Sequence, residues 1–179
     1  MNTNELKYSE LTIDRLEEAL GLITDVFYEY NAPDYSEEGA ETFKELIDYE
    51  WHSEHFEGRA GLDMEADGGF VISFSPQLRM WICEDDAIDR IVGVIATLGT
   101  HLYWMFVDGK YHRRGIARRL FEMTIEELSP RIMTVCASPY AVDVYRKLGF
   151  VETDLEQNNW GIRVVPMEYV APAMMMQTA

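Results

Sequence analysis

Three apolar runs in succession limit the architectures open to this chain. LRMWIC is joined by the polar connection EDDAID to RIVGVIATL, a hairpin signal, and HLYWMFV follows directly. This last run is apolar almost without break from Leu102 to Val107, the composition of a strand buried on both faces. A basic loop marked by Gly115 comes next, then a helical pattern with Ala117, Leu120, Phe121 and Leu128 inward and Arg118, Arg119, Glu122 and Glu126 outward. Pro130 marks its end. RIMTVCA reads as a strand and SPYAVDVYRKLG as a helix, in which Ser138 is placed to cap, Pro139 suits the first turn and Gly149 the stop. FVE and IRVVPMEYV close the pattern as strands.

Upstream, LKYS reads as an edge strand, and Thr12 as the N-cap of a helix whose Ile13, Leu16, Leu20, Ile23 and Phe27 run to about Tyr30. Pro33 breaks it, and Ser36 with Glu37 and Glu38 starts a second helix carrying Phe43, Leu46 and Ile47 on one face. Residues Gly58 to Gly69 read as a surface loop and GFVISFSP as a short strand. The 179 residues suit one core. The expected fold is therefore a single α/β (α+β) domain over residues 1–170. It has a mixed, mostly antiparallel sheet of roughly six to seven strands with helices on both faces. The tail 171–179 is expected to fray.

Charge narrows the partners. A net charge of −17 opposes nucleic acid and acidic membranes and favours cations, although acidity by itself also serves solubility. No run approaches the roughly 20 apolar residues of a membrane span, and the N-terminus has no secretory pattern, so a cytoplasmic location is expected. Cys83 and Cys136 lie in apolar strand-like segments without CxxC spacing and read as buried free thiols. HSEH, His52 to His55, lacks HExxH spacing and a third ligand; it reads as a solvated helix end, and no metal is expected.

Against this acidity, YHRRGIARRL carries four of the fifteen Lys and Arg residues. A strand entering a glycine-marked turn before a helix leaves first-turn amides unpaired at the positive end of the macrodipole, a geometry that binds anions. Gly115 admits close approach, Ala117 keeps the next turn open, and the arginines add charge-assisted bonds, so a pyrophosphate fits. A Walker loop is excluded because Ile116 stands where Lys is required, and GxGxxG is absent. The competing reading of the arginines is a solvated helix face paired with Glu122 and Glu126.

The segment FVDGKYHRRGIARRLF resembles the acetyl-CoA motif [Q/R]xxGx[G/A] of the GNAT acetyltransferase superfamily, with Gly115 and Ala117 in register and His112 where Gln or Arg is usual. SPYAVDVYRKLGF resembles that family's NxxAxxxYxxxGF segment, with Ala141, Tyr145, Gly149 and Phe150 matching and Ser138 replacing Asn. The resemblance implies an N-acetyltransferase using acetyl-CoA as co-substrate. It implies that pyrophosphate lies against His112, Arg113, Arg114, Gly115, Ile116, Ala117 and Arg118, with Ser138 nearby. The pantetheine arm would dock along Met105, Phe106 and Val107, with a backbone N–H near Phe106 or Val107 as oxyanion donor. Tyr145 takes the family's tyrosine position as general acid, and the spacing of Ala141, Val144, Tyr145 and Leu148 turns it toward the sheet.

The base is open among Glu29, Asp34, Tyr35, His101 and a water relay. The acceptor is a small-molecule or protein amine, and net acidity leans toward a cationic one such as a polyamine, an aminoglycoside or a lysine side chain. A non-catalytic acyl-CoA sensor and a nucleic-acid binder are the alternatives, and IRVVPMEYV could pair with a second copy in a homodimer.

Overall fold

A computed structural model describes residues 5–56, 60–64, 70–74 and 78–172. The chain opens with β1 (Leu6–Glu10), a 3-10 turn at Ile13–Arg15 and α1 (Leu16–Tyr30). A second 3-10 turn, Ala32–Asp34, leads into α2 (Glu37–Leu46) and α3 (Tyr49–Phe56). Strands β2 (Ala60–Met64) and β3 (Phe70–Phe74) pair with each other in a separate small sheet. The expected loop thus contains a strand; its residues 58–59 and 65–69 lie outside the described residues, as do 173–179 of the tail.

The three apolar runs form an antiparallel meander of β4 (Leu78–Asp85), β5 (Arg90–Leu98) and β6 (His101–Val107). After them come α4 (Ile116–Leu128), β7 (Ile132–Ala137), α5 (Val142–Leu148), β8 (Val151–Glu152), β9 (Gln157–Asn159) and β10 (Ile162–Val170). The main sheet has eight strands along the path β1-β4-β5-β6-β7-β10-β8, with β9 pairing β10 off that path. Only the β6–β7 pairing is parallel among those described. The FVE segment forms β8 as expected, while β9, which raises the main sheet to eight strands, is a three-residue piece beside β10, too short to leave a pattern in sequence.

Alternation along the strands divides the core. Met80, Ile82 and Val94 face α1 and α2, packing with Leu16, Ile23 and Phe27, while Trp81, Cys83 and Ile95 face α4 and α5. Strand β6 serves both layers, with Trp104 and Phe106 on the α1 side and Leu102, Met105 and Val107 on the α4 side. Only Leu102 and Trp104 are buried; Met105, Phe106 and Val107 are half-buried, so the continuously apolar run reflects packing on both faces without full burial.

Local expectations meet different outcomes. Ser36 caps α2, its hydroxyl accepting from the Gly39 amide at 3.2 Å. Thr12 makes no cap bond, because the 3-10 turn separates it from α1. His52 is not at a solvated helix end: it is 0% exposed, stacked on Trp104 with ring centroids 4.7 Å apart. Cys83 is buried but Cys136 is exposed, because β7 buries Met133, Val135 and Ala137 on alternate positions and turns Cys136 the other way.

Candidate functional site

The site begins where the sheet comes apart. Strands β6 and β7 pair only at His101–Thr134 and Leu102–Val135. Opposite β5, Ala96 faces Trp104 and Thr97 faces Leu102, so Tyr103 is the extra residue of a β-bulge. A bulge bends its strand, and past it β6 leaves β7.

The backbone exposed by this splay can be assigned. The Asp108 amide donates to the Val92 carbonyl at 2.9 Å. Hydrogen-bonded pairs alternate along an antiparallel ladder, so Val94–Phe106 and Ala96–Trp104 also exchange bonds. Met105 and Val107 are the intervening positions, whose N–H and C=O groups point away from β5 into the splay. The His112 Nε2–H donates to the Val107 carbonyl at 2.8 Å, as that direction requires. The Val107 N–H and both polar groups of Met105 remain turned toward the gap, whereas Phe106 is engaged with β5.

The next loop brings the amides of α4 to the same gap. Asp108 accepts from the Lys110 amide, and a 3-10 turn spans Gly109–Tyr111. Arg113 (φ 61°) and Gly115 (φ 80°) both take left-handed backbone conformations, a strained arrangement for arginine that tends to mark functional loops. The first α4 backbone bond runs from Arg119 N–H to the Gly115 carbonyl, leaving the Ile116, Ala117 and Arg118 amides without helical partners. Gly93 lets α4 lie close on the sheet, since a Cβ there would stand 2.7 Å from Ile116 Cγ2.

These parts line one cavity of about 550 Å³. Its wall includes Met105, Phe106 and Val107 from β6, then His112, Arg113, Gly115, Ile116, Ala117 and Arg118 from the loop and α4. Ser138 and Tyr145 also line it, with Ala141, Val144 and Leu148 on the same face of the α5 segment. Burial alone pushes the Tyr145 phenol above its ordinary range, so it stays protonated at neutral pH. Cys136 opens onto the cavity, its thiol pushed up by partial burial. Ser138 does not cap with its side chain: its hydroxyl accepts from Asn31 Nδ2 at 2.8 Å, tying the end of α1 to the start of α5.

The basic stretch divides by environment. Arg113 and Arg118 reach the cavity, and Arg118 also donates to the Lys147 carbonyl at 3.0 Å. Arg114 instead lies over the Tyr111 ring at 4.8 Å, outside the cavity wall. Arg119 pairs with Glu122 and Glu126, the solvated-face arrangement.

Among the base candidates, His101 and Tyr35 line the cavity. His101 meets the Thr134 hydroxyl at 2.8 Å, and burial lowers its pKa, favouring neutral imidazole. Glu29 lies beside a smaller, separate cavity with Asp25 and Lys110, and Asp34 ends the 3-10 turn before Tyr35. Sequence reasoning missed Asn31, Tyr30 and Tyr140. Tyr30 and Tyr140 stack at 5.6 Å across the same α1–α5 junction, a long-range contact with no local periodicity to announce it.

Among the described residues no helix is long and apolar enough to cross a membrane, and no group of three or more His, Cys, Asp or Glu is placed to hold a metal. No curated protein sequence matches the chain. The fold matches a GCN5-related N-acetyltransferase from Rhodopseudomonas palustris at TM-score 0.70 and 17% identity, covering 96% of this chain and 99% of that one. It matches a PaiA N-acetyltransferase from Thermoplasma acidophilum, solved in complex with coenzyme A, at TM-score 0.67 and 15% identity, covering 93% and 99%. YjaB from Escherichia coli in its apo form matches at TM-score 0.62 and 16% identity, covering 94% and 99%. At these identities the likeness is one of fold. The sequence itself matches the acetyltransferase (GNAT) domain model over residues 31–171, a span that holds the splayed strands and the α4 loop, and the chain therefore belongs to the GNAT acetyltransferase family.

Proposed function

We propose that the protein transfers the acetyl group of acetyl-CoA directly to a primary amine. One observation carries the reading: the outward Met105 backbone, the outward Val107 N–H and the unpaired first-turn amides of α4 open onto the same cavity. An extended arm can add to β6 as a strand would, and the pyrophosphate joined to it meets N–H donors at the positive end of α4. Arg113, Arg118 and Lys147, which line that part of the wall, add charge to phosphate binding.

In the reaction a neutral amine nitrogen attacks the thioester carbonyl, forming the C–N bond. The carbonyl oxygen becomes an oxyanion, for which an outward N–H of β6, that of Met105 or Val107, is the donor. Collapse breaks the C–S bond; Tyr145 supplies a proton to the leaving sulfur, the amine proton passes to solvent, and solvent reprotonates the phenol. A phenol held protonated by burial suits the acid role and excludes a resting phenolate. His101, kept neutral by burial at the far end of β6, is the cavity residue best suited to take the amine proton through a water relay on its way to solvent.

The test is thiol release from acetyl-CoA with a panel of amines, on the wild type and Tyr145→Phe. The variant is expected to lose roughly 10- to 1000-fold in turnover with little change in CoA affinity. Turnover equal to wild type removes Tyr145 from the mechanism. CoA binding without thiol release from any amine supports the non-catalytic sensor instead.

A further inference from the structure

The acceptor end of the cavity has a chemistry that the chain's overall charge does not suggest. This inference rests on the acetyl-transfer reading and specifies its substrate. The chain holds 32 Asp and Glu residues, yet among the described residues none of them lines the cavity. The charged side chains that do line it are Arg113, Arg118 and Lys147, all cationic. Asp25 and Glu29 line the separate cavity with Arg90 and Lys110, and Glu29 also accepts from the hydroxyl of Tyr30, whose ring lines the main one.

On the α1–α2 side of β6 the wall is made of rings. Phe27 and Phe43 stack with centroids 3.4 Å apart and planes within 5°. The Trp104 and Phe106 rings each lie 6.3 Å from Phe43, and Tyr35 lies 5.6 Å from Phe27. The Tyr35 hydroxyl donates to the Arg163 carbonyl at 3.1 Å, so its polar end is engaged with β10. Leu46 and Ile162 complete this side.

We propose that the acceptor is a primary amine on an apolar, ring-sized body, an arylalkylamine or branched alkylamine, and not a polycation. An apolar chamber of this kind desolvates one amine head toward the neutral nucleophile. The further charges of a polyamine or aminoglycoside would meet apolar walls, with no carboxylate among the described residues lining the cavity to pair them. The transfer is the one written above: C–N forms, C–S breaks, and CoA leaves as the thiol.

The test measures CoA binding by calorimetry and kcat/KM by thiol release for 2-phenylethylamine, isoamylamine, spermidine, kanamycin and a lysine-containing peptide. The proposal expects the first two to exceed the other three by roughly 10- to 100-fold, the range that burial of one ring-sized apolar group supplies. Leu46→Glu, at a side chain 43% exposed on the cavity rim, is expected to raise the spermidine-to-phenylethylamine ratio about threefold to fivefold, as a rim ion pair would. Faster acetylation of spermidine, kanamycin or the peptide by the wild type overturns the substrate class while leaving acetyl transfer standing. CoA binding with no amine turned over also overturns it, and failure of CoA itself to bind removes the acetyl-transfer reading beneath it.

Discussion

Gly115→Ala separates the role of the α4 amides from the stability of the loop that carries them. Gly115 sits at φ 80°, and a Cβ built there meets no atom within 4 Å, so the added methyl costs conformational energy and causes no clash. A non-glycine residue in that region costs about 1–2 kcal/mol, which for a chain of this size lowers Tm by roughly 2–8 °C. The methyl stands on the cavity wall at the mouth of the first helical turn, where a phosphate oxygen must come within hydrogen-bond distance of Ile116 and Ala117 N–H. Losing one charge-assisted bond of about 1.5–3 kcal/mol weakens CoA binding roughly 10- to 100-fold. Calorimetric titration with CoA measures that loss, and a thermal melt without CoA measures the conformational cost separately. A variant that melts lower yet binds CoA within about twofold of wild type would refute the assignment of these amides to the phosphates.

Other substitutions probe neighbouring claims. Arg118→Ala, which removes a cavity-lining cation, is expected to weaken CoA binding about threefold to tenfold, and Arg119→Ala, which removes a surface pair with Glu122 and Glu126, less than twofold by the same titration. Gly21→Ala, at an exposed position in α1 with no atom within 4 Å of the new methyl, should add about 0.5–1 kcal/mol in urea unfolding and leave turnover unchanged. The folded-state pKa of His101 lies below its ordinary 6.5, so the unfolded chain binds the proton more readily and stability falls as pH drops below that value toward the folded pKa. Urea melts of wild type and His101→Asn at about pH 7.5 and pH 5 check the sign; the wild type is expected to lose more stability on acidification than the variant.

The loop was legible because its signals are local. Gly115 and Ala117 stand at fixed positions just past a buried strand, and Tyr145 lies one helical turn after Ala141, so strand, turn and helix phase could be read from neighbouring residues. The splay was not legible. Nothing in HLYWMFV marks Tyr103 as a bulge, because bulging depends on register against β5 and not on residue type. Cys136 illustrates a signal that composition hid: the alternation of Met133, Val135 and Ala137 places it outward, but an apolar run invites burial throughout. Phe27 and Phe43 are core residues by pattern, and only the fold brings their stacked rings to a cavity wall beside Trp104. Net charge could not report where carboxylates are placed, and none among the described residues lines the cavity.

The central claim is that β6 and α4 together form one acetyl-CoA groove, and a crystal structure of the protein with bound CoA tests it most directly. The account predicts pyrophosphate oxygens within hydrogen-bond distance of the amides of Gly115 to Arg118, and the pantetheine amides bonded to Met105 or Val107. Pyrophosphate held elsewhere, or a pantetheine arm that leaves the Met105 and Val107 backbone untouched, would contradict it.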